Sequence, residues 1–143
     1  MKASLSTYLS LSVVAISIAV LTGWAIDSQI LKSVLPGFIT MKANTAICFL
    51  LLAAACLAQR RERRTVGRIA VTTFFAGSTL AIALVTMYQY LFDKNLGIDE
   101  LFFRDPEGAV GQFPPGRLAP ITAINFIFLS GSLLLANLPR RPH

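Results

Sequence analysis

The stretches MKANTAICFLLL (residues 41–52) and LAPITAINFIFL (residues 118–129) decide how this chain is built. They align without gaps and share Thr, Ala, Ile, Phe and Leu at equivalent places, so that Thr45 corresponds to Thr122. Each stretch leads into a long apolar run. The alignment therefore predicts an internal repeat, in which one helix-loop-helix unit is used twice.

Composition places this repeat in a membrane. Hydrophobic residues make up 55% of the 143 residues and charged residues 14%, whereas a soluble domain carries about 25% charged residues. Four apolar runs reach the length of about 20 residues that spans a hydrocarbon core; they cover residues 4–26, 39–58, 69–92 and 120–138. We predict one integral membrane domain over residues 1–143, an all-α, four-transmembrane-helix bundle made of two like-oriented helical hairpin repeats, about 4–58 and about 69–138.

The charged residues predict how the helices are oriented. The short loop between the second and third runs holds arginines at positions 60, 61, 63, 64 and 68 against the single acid Glu62, while the loop 93–117 holds more acids than bases. Cytoplasmic loops carry an excess of basic residues, so both termini are predicted to be cytoplasmic. The net charge of +6 then indicates topology and contact with anionic lipid of the bilayer, and we expect no nucleic-acid partner.

No set of residues in the sequence points to catalysis. The only histidine is His143, and Cys48 and Cys56 lie on one predicted helix, about 12 Å apart and too far for a disulfide. We find no phosphate-binding glycine loop, no Ser-His-Asp set and no cluster with metal-ligand spacing. The apolar runs also lack the buried ionisable groups of proton-coupled transporters. We therefore expect a protein that is not an enzyme and has no metal or cofactor.

Polar residues at the two predicted helix starts are the candidates for a binding site. Thr45 and Thr122 fall in the first turn, where they can either cap the helix or face a ligand beside two positive helix ends. Asn125 lies one turn below Thr122, and its amide needs a partner in a neighbouring helix, a water or a ligand. Four further polar residues complete the ligand-binding hypothesis: Asn44, Gln89, Arg104 and Arg117. Asn44 can instead cap its helix, and the two arginines can instead pair with Asp99, Glu100 or Asp105.

Small residues predict where the helices approach one another. Helices in lipid pack closely where Gly, Ala or Ser lets the backbones meet. Gly77 and Ser78 lie near the middle of the third run, and Ser130 and Gly131 in the fourth. We expect these four residues at helix seams.

The phrase ANTAICFLLL (residues 43–52), the loop LGIDELFFRDP (96–106) and the return PGR (115–117) resemble the N-terminal multi-helix membrane regions of bacterial sensor proteins. In those regions a repeated Asn-Thr-Ala helix start and a Gly-Ile-Asp loop precede PAS, histidine kinase or diguanylate cyclase output domains. The resemblance implies a sensory region in the bacterial inner membrane. The second repeat departs from the pattern, because Ile121 stands at the place of Asn44.

Two functions follow from these observations. The first is a sensory input module for signal transduction, which couples an outer-leaflet or extracytoplasmic cue to a membrane or cytoplasmic signalling protein. The second is a small accessory subunit that packs against a larger membrane complex. No output domain occurs within the 143 residues, so the first function requires either a longer receptor or a separate partner.

Overall fold

The helices follow the predicted apolar runs closely. A computed structural model describes residues 5–33, 40–59, 65–105 and 113–138, and over these residues the chain contains helices and no strands. The prediction of an all-α protein is therefore confirmed. The helices are α1 (Leu5–Ala25), α2 (Gln29–Lys32), α3 (Ala43–Gln59), α4 (Val66–Leu91) and α5 (Pro120–Asn137).

Three of these helices are long and apolar enough to cross a membrane. They are α1, α4 and α5, with 21, 26 and 18 residues, and most of each faces outward. The remaining predicted span, residues 39–58, corresponds to α3, which is shorter at 17 residues. The arginines at positions 60–64, together with Lys2, Arg140 and Arg141, lie outside the described residues.

α4 packs along one side through a stripe of small residues. Every third or fourth residue of this helix is buried, which brings one face against α3 and α5. This stripe consists of Thr72, Ala76, Thr79, Ala83 and Thr86. Small side chains let helix backbones approach closely in lipid, so this stripe forms the seam that Gly77 and Gly131 were expected to form.

Within the described part of the chain, the two glycines do not contact a neighbouring helix. A Cβ atom placed on Gly77 or Gly131 would meet no atom within 4 Å. The Ser78 hydroxyl donates to the carbonyl of Phe74 in its own helix, away from the buried stripe. Ser130, in contrast, is fully buried. Helix rotation explains the difference, because Gly77 is one residue from the buried Ala76 and so points about 100° away from it.

α1 lies to one side of the other helices. Among the described residues it packs against α2 and α3, whereas α4 and α5 pack against each other and against α3. The helices therefore do not close into a ring over this part of the chain. α1 and α5 flank a lateral groove whose floor is α3, with residues of all three helices in its walls.

The two helical hairpins, α1 to α3 and α4 to α5, turn at the same end of the molecule, here called the loop end. α1 and α4 both finish with an Asp in the left-handed region, Asp27 at φ 56° and Asp93 at φ 47°. Just beyond each helix a backbone N–H returns to the last turn, from Ser28 to Gly23 at 2.8 Å and from Lys94 to Gln89 at 3.0 Å. Each hairpin thus begins its loop with the same helix-ending geometry.

Candidate functional site

An aromatic side chain at the loop end fastens each hairpin. The indole N–H of Trp24 donates to the carbonyl of Met41 at 2.9 Å, and the hydroxyl of Tyr90 donates to the carbonyl of Leu118 at 3.0 Å. Met41 and Leu118 are equivalent positions in the aligned stretches. The two bonds therefore hold equivalent points of the two hairpins.

A cation lies over each of these rings. The ammonium of Lys32 is 4.4 Å from the centre of the Trp24 ring, and the guanidinium of Arg117 is 5.3 Å from that of Tyr90. Both distances are within the range of an attractive cation–π contact. Each of the two loops is thus held over its own hairpin by a hydrogen bond and a cation.

Asp99 anchors the second loop to the helices. Its carboxylate accepts from Arg117 Nε at 2.8 Å and from Gln89 Nε2 at 3.0 and 3.1 Å. All three side chains are buried. A buried charge is tolerated when it is paired and hydrogen-bonded, so the Asp99 carboxylate is compensated in place.

The amide of Asn44 ties this loop to the start of α3. Its Nδ2 donates to the backbone carbonyl of Asp99 at 2.9 Å, with longer approaches to the carbonyls of Ile98 and Gly116. Gln89 also accepts from the N–H of Leu96 at 2.8 Å. The amides of Asn44 and Gln89 are therefore occupied by the loop, and neither lies free for a ligand.

Gly116 allows the return of the chain beneath this network. Its φ is +67°, and a Cβ there would lie 2.4 Å from the carbonyl oxygen of Asp99. Its N–H donates to Asp105 Oδ2 at 2.9 Å, and the same carboxylate is paired with Lys42. Only a residue without a side chain fits such a close backbone approach with a positive φ.

The lateral groove begins at the loop end with a chamber of about 570 Å³. Three cations line it, Lys32, Lys42 and Arg117, and no acidic residue is among the described lining residues. Thr45 and Thr122 line the same chamber from α3 and α5. The chamber therefore has a cationic mouth and a polar inner wall.

The middle of the groove is a second space of about 430 Å³ that contains the remaining polar candidate. Thr45 and Thr122 line it as well, with Asn125 one turn further along α5. Phe49 and Phe126 close its floor, with ring centres 4.9 Å apart. The equivalent Thr and Phe residues of the two stretches are thus brought together at one place.

The polar groups in this middle space have no protein partner within the described part of the chain. Asn125 is exposed, and no hydrogen bond is formed by its amide or by the hydroxyls of Thr45 and Thr122. The capping role expected for the two threonines is therefore not observed. Asn125 is therefore the side chain of this space most open to a partner that the described residues do not supply.

The far part of the groove is apolar and has a volume of about 320 Å³. Its lining residues come from α1, α3 and α5 and are mostly aliphatic: Leu9, Val13, Phe49, Leu52, Ala53, Cys56, Leu129 and Leu133. Ser10 and Ser132 also line it, but their hydroxyls donate to carbonyls of their own helices. This part therefore offers an occupant little except apolar surface.

The structure divides the predicted ligand residues into two groups. Asn44, Gln89 and Arg117 are bound into the loop network through Asp99, although Arg117 also lines the mouth of the groove. Arg104 is exposed at the loop end. The remaining three, Thr45, Thr122 and Asn125, come together in the middle of the groove with their polar groups free.

Asp99 and Asp105 were expected only as alternative ion-pair partners of Arg104 or Arg117, and the Asp99–Arg117 pair is formed. Gly116, Lys32 and Lys42 had no expected role. Asp99, Asp105 and Gly116 organise the second loop, and Lys32 and Lys42 line the groove mouth. In the sequence, Asp99 stands out as an acid in the Gly-Ile-Asp loop of a largely apolar chain, and Arg117 is the basic residue just before α5. Lys32 carried no such signal, because its position depends on α2 folding back over Trp24.

Comparison with known proteins gives no match for this chain among protein-family models, curated proteins or solved structures.

Proposed function

We propose that this protein is a non-catalytic sensory input module of a bacterial signalling system, spanning the inner membrane four times with both termini in the cytoplasm. The three long apolar helices support membrane insertion. α3 is about 25 Å long and lies at the short end of the range that crosses a bilayer. The basic loop after α3 and the acidic loop after α4 support an orientation with the loop end outside the cytoplasm.

The observation that carries the proposal is the group of unpaired polar side chains in the groove. Asn125, Thr45 and Thr122 converge on one space between the two hairpins. Ligand sites in membrane proteins combine an apolar wall with a few placed polar groups, and intramembrane polar residues without a partner mark functional sites. The groove meets both conditions.

The packing of α1 supports a way to transmit occupancy. Within the described residues α1 is held by α2 and α3, whereas α4 and α5 are joined to each other and through the Asp99 network. An occupant of the groove touches α1 on one side and α5 on the other. A ligand that prefers one spacing of these helices would shift their equilibrium, and small helix shifts of this kind drive switching in many receptors.

A specific observation also favours the second function, an accessory subunit of a larger membrane complex. Gly77 and Gly131 face open space in the described chain. Exposed small residues on membrane helices let a helix of another protein approach closely. In this reading the outward glycine surfaces hold the partner, and the groove polar groups have no role in it.

The experiment that separates the two functions combines native purification from the source membrane with two sets of variants. A sensory module is expected to travel with a kinase or cyclase, or as part of a longer signalling chain, and its partner's output should change in Asn125→Leu, Thr45→Val and Thr122→Val. Gly77→Leu and Gly131→Leu serve as the matched set outside the groove.

The opposite pattern would overturn the sensory proposal. It consists of a stoichiometric place in a large complex that is lost in the glycine variants, together with unchanged behaviour of the three groove variants. Native mass measurement of the purified assembly reads both results in one preparation.

A further inference from the structure

We infer that the lateral groove binds an anionic phospholipid, with its phosphate at the cationic mouth, its ester groups at the Thr45, Thr122 and Asn125 wall and an acyl chain in the far apolar part. This inference names the ligand class of the proposed sensory site and rests on that proposed function. It follows from the order of chemical groups along the groove.

Three basic side chains line the mouth of the groove, and each is already paired with a carboxylate. Lys32, Lys42 and Arg117 line it without an acidic residue among the described lining residues. Lys42 and Arg117 are paired with buried carboxylates, but Lys32 is paired with Asp27, whose side chain is 80% exposed. The Lys32 side chain itself is 3% exposed and lies over the Trp24 ring, but the Asp27 carboxylate is in solvent, so of the three cations Lys32 has the partner that a phosphate most readily replaces.

The middle wall suits the glycerol ester region of a lipid. Ester carbonyls accept hydrogen bonds and donate none, and Asn125 Nδ2 and the two threonine hydroxyls are donors without a partner in the described chain. A lipid would satisfy these donors from outside the protein. A purely apolar helix of another protein could not do so.

The far part has the length and polarity of an acyl chain site. From Thr45 to Cys56 the groove follows eleven residues of α3, or about 16 Å. One leaflet of the hydrocarbon core is about 15 Å thick, half of the full core. The groove is therefore about as long as one leaflet is deep, which suits an acyl chain of the leaflet at the loop end.

Native mass spectrometry of the full-length protein tests this inference directly. The protein is released from bilayer nanodiscs of phosphatidylglycerol or of phosphatidylcholine with the same acyl chains, and the retained lipid is counted. We expect one phosphatidylglycerol per chain, and retention of phosphatidylcholine lower by about fivefold, the factor that one lysine contributes near an anionic surface.

Two matched pairs of variants locate the lipid in the groove. Lys32→Gln should lower phosphatidylglycerol retention by about fivefold, whereas Lys94→Gln, the loss of an exposed lysine at the same end, should not. Ser132→Phe fills the far part and should abolish retention, whereas Ser78→Phe should leave it unchanged. Both serines are exposed and donate to a carbonyl one turn back, which makes the pair equivalent in the fold.

Asn125→Leu provides a variant that keeps the helix surface and removes only the amide. Asn125→Leu should lower lipid retention. It keeps the inference testable if circular dichroism and an unfolding curve show that Ser132→Phe disturbs folding. Equal retention of the two lipids, or retention unaffected by Asn125→Leu and Ser132→Phe, would overturn the inference. A lipid-free dimer would do the same, because a second copy would then fill the groove.

Two further results separate this inference from the sensory proposal. If inorganic phosphate alone displaces the lipid, the mouth is an anion site and the acyl-chain assignment is wrong. If the natural protein retains no lipid and Asn125→Leu still alters partner output, the lipid inference fails and the sensory function stands. Specific lipid retention with partner output unaffected by Asn125→Leu supports the lipid site and removes the sensory function.

Discussion

The starts of α3 and α5 carry the same sequence phrase in opposite surroundings. At α3, Asn44 is buried and donates to the carbonyl of Asp99, and one turn on, Cys48 is fully buried. At the equivalent places of α5, Ile121 is 65% exposed and Asn125 is exposed in the groove. One copy of the phrase thus holds a loop in place, and the other leaves a polar side chain exposed in the groove.

This difference shows how a repeated unit acquires two roles. The fastening of each hairpin is shared, since Trp24 and Tyr90 donate to equivalent carbonyls. What differs is the residue two positions before the buried alanine, Asn44 before Ala46 and Ile121 before Ala123. Variants in each hairpin can therefore break the structural role and the binding role separately.

Loss of Arg117 is expected to have the largest effect on stability. Arg117→Met leaves the Asp99 carboxylate buried without its cation, and breaking a buried pair in this way costs about 3–5 kcal/mol. Unfolding in detergent, followed by circular dichroism, measures the change. Arg104→Met is the control, because Arg104 is exposed in the same loop, and its effect should stay within about 0.5 kcal/mol. Equal effects would show that the Asp99 pair does not hold the loop.

Gly116→Ala is expected to follow, with a loss above about 2 kcal/mol. The left-handed conformation costs a side chain about 1–2 kcal/mol, and the added Cβ meets the Asp99 carbonyl as well. Gly97→Ala has the matching φ of +71° and no atom within 4 Å among the described residues. It should lose only about 1 kcal/mol in the same unfolding measurement. A Gly97 variant as unstable as the Gly116 variant would argue against the close approach.

Asn44→Leu breaks the structural half of the comparison. It removes the donor from the buried carbonyl of Asp99, and an unsatisfied buried acceptor costs about 1–3 kcal/mol. The unfolding midpoint should fall, and proteolysis of the 93–105 loop should become faster. An unchanged midpoint would mean that Asn44 is not the tie between loop and helix.

Tyr90→Phe tests the shared fastening and has the smallest expected effect. It removes the hydroxyl that donates to Leu118, a loss of about 0.5–1.5 kcal/mol. Tyr88→Phe on the same helix is the control, since Tyr88 is 46% exposed and should change stability by less than about 0.5 kcal/mol. If the two variants unfold alike, the second hairpin does not depend on this bond.

The helices could be predicted from the sequence because each apolar run has the length and boundaries of a helix. Pro120 marks the start of α5 as expected for a residue with no N–H to leave unpaired. A pair between Arg117 and Asp99 was among the pairings that the loop sequence allowed. The choice of Asp99 over Glu100 and Asp105, and its contact with Gln89, could not be predicted, since these residues meet only in the folded loop. The groove was also hidden, because it depends on α1 packing against α3 and leaving α5 uncovered.

The small residues of α4 show what residue type alone does not determine. Gly77 and the buried Ala76 are equally compatible with a helix seam by composition. Their one-residue difference rotates the side-chain direction by about 100°, and only the packing of α3 and α5 determines which face is covered. Residue type alone therefore pointed to Ser130, which is buried, but did not show that the Cα of Gly77 has no neighbouring helix opposite it among the described residues.

Asn125→Leu tests the lipid site in the lateral groove most directly, with unfolding and phosphatidylglycerol retention measured in the same preparation. We expect an unfolding free energy within about 0.5 kcal/mol of the natural protein, together with a clear loss of retained lipid. A loss of stability as large as that of Asn44→Leu, with lipid retention unchanged, would contradict the lipid site. Asn125 would then have a structural role, as Asn44 has at the start of α3.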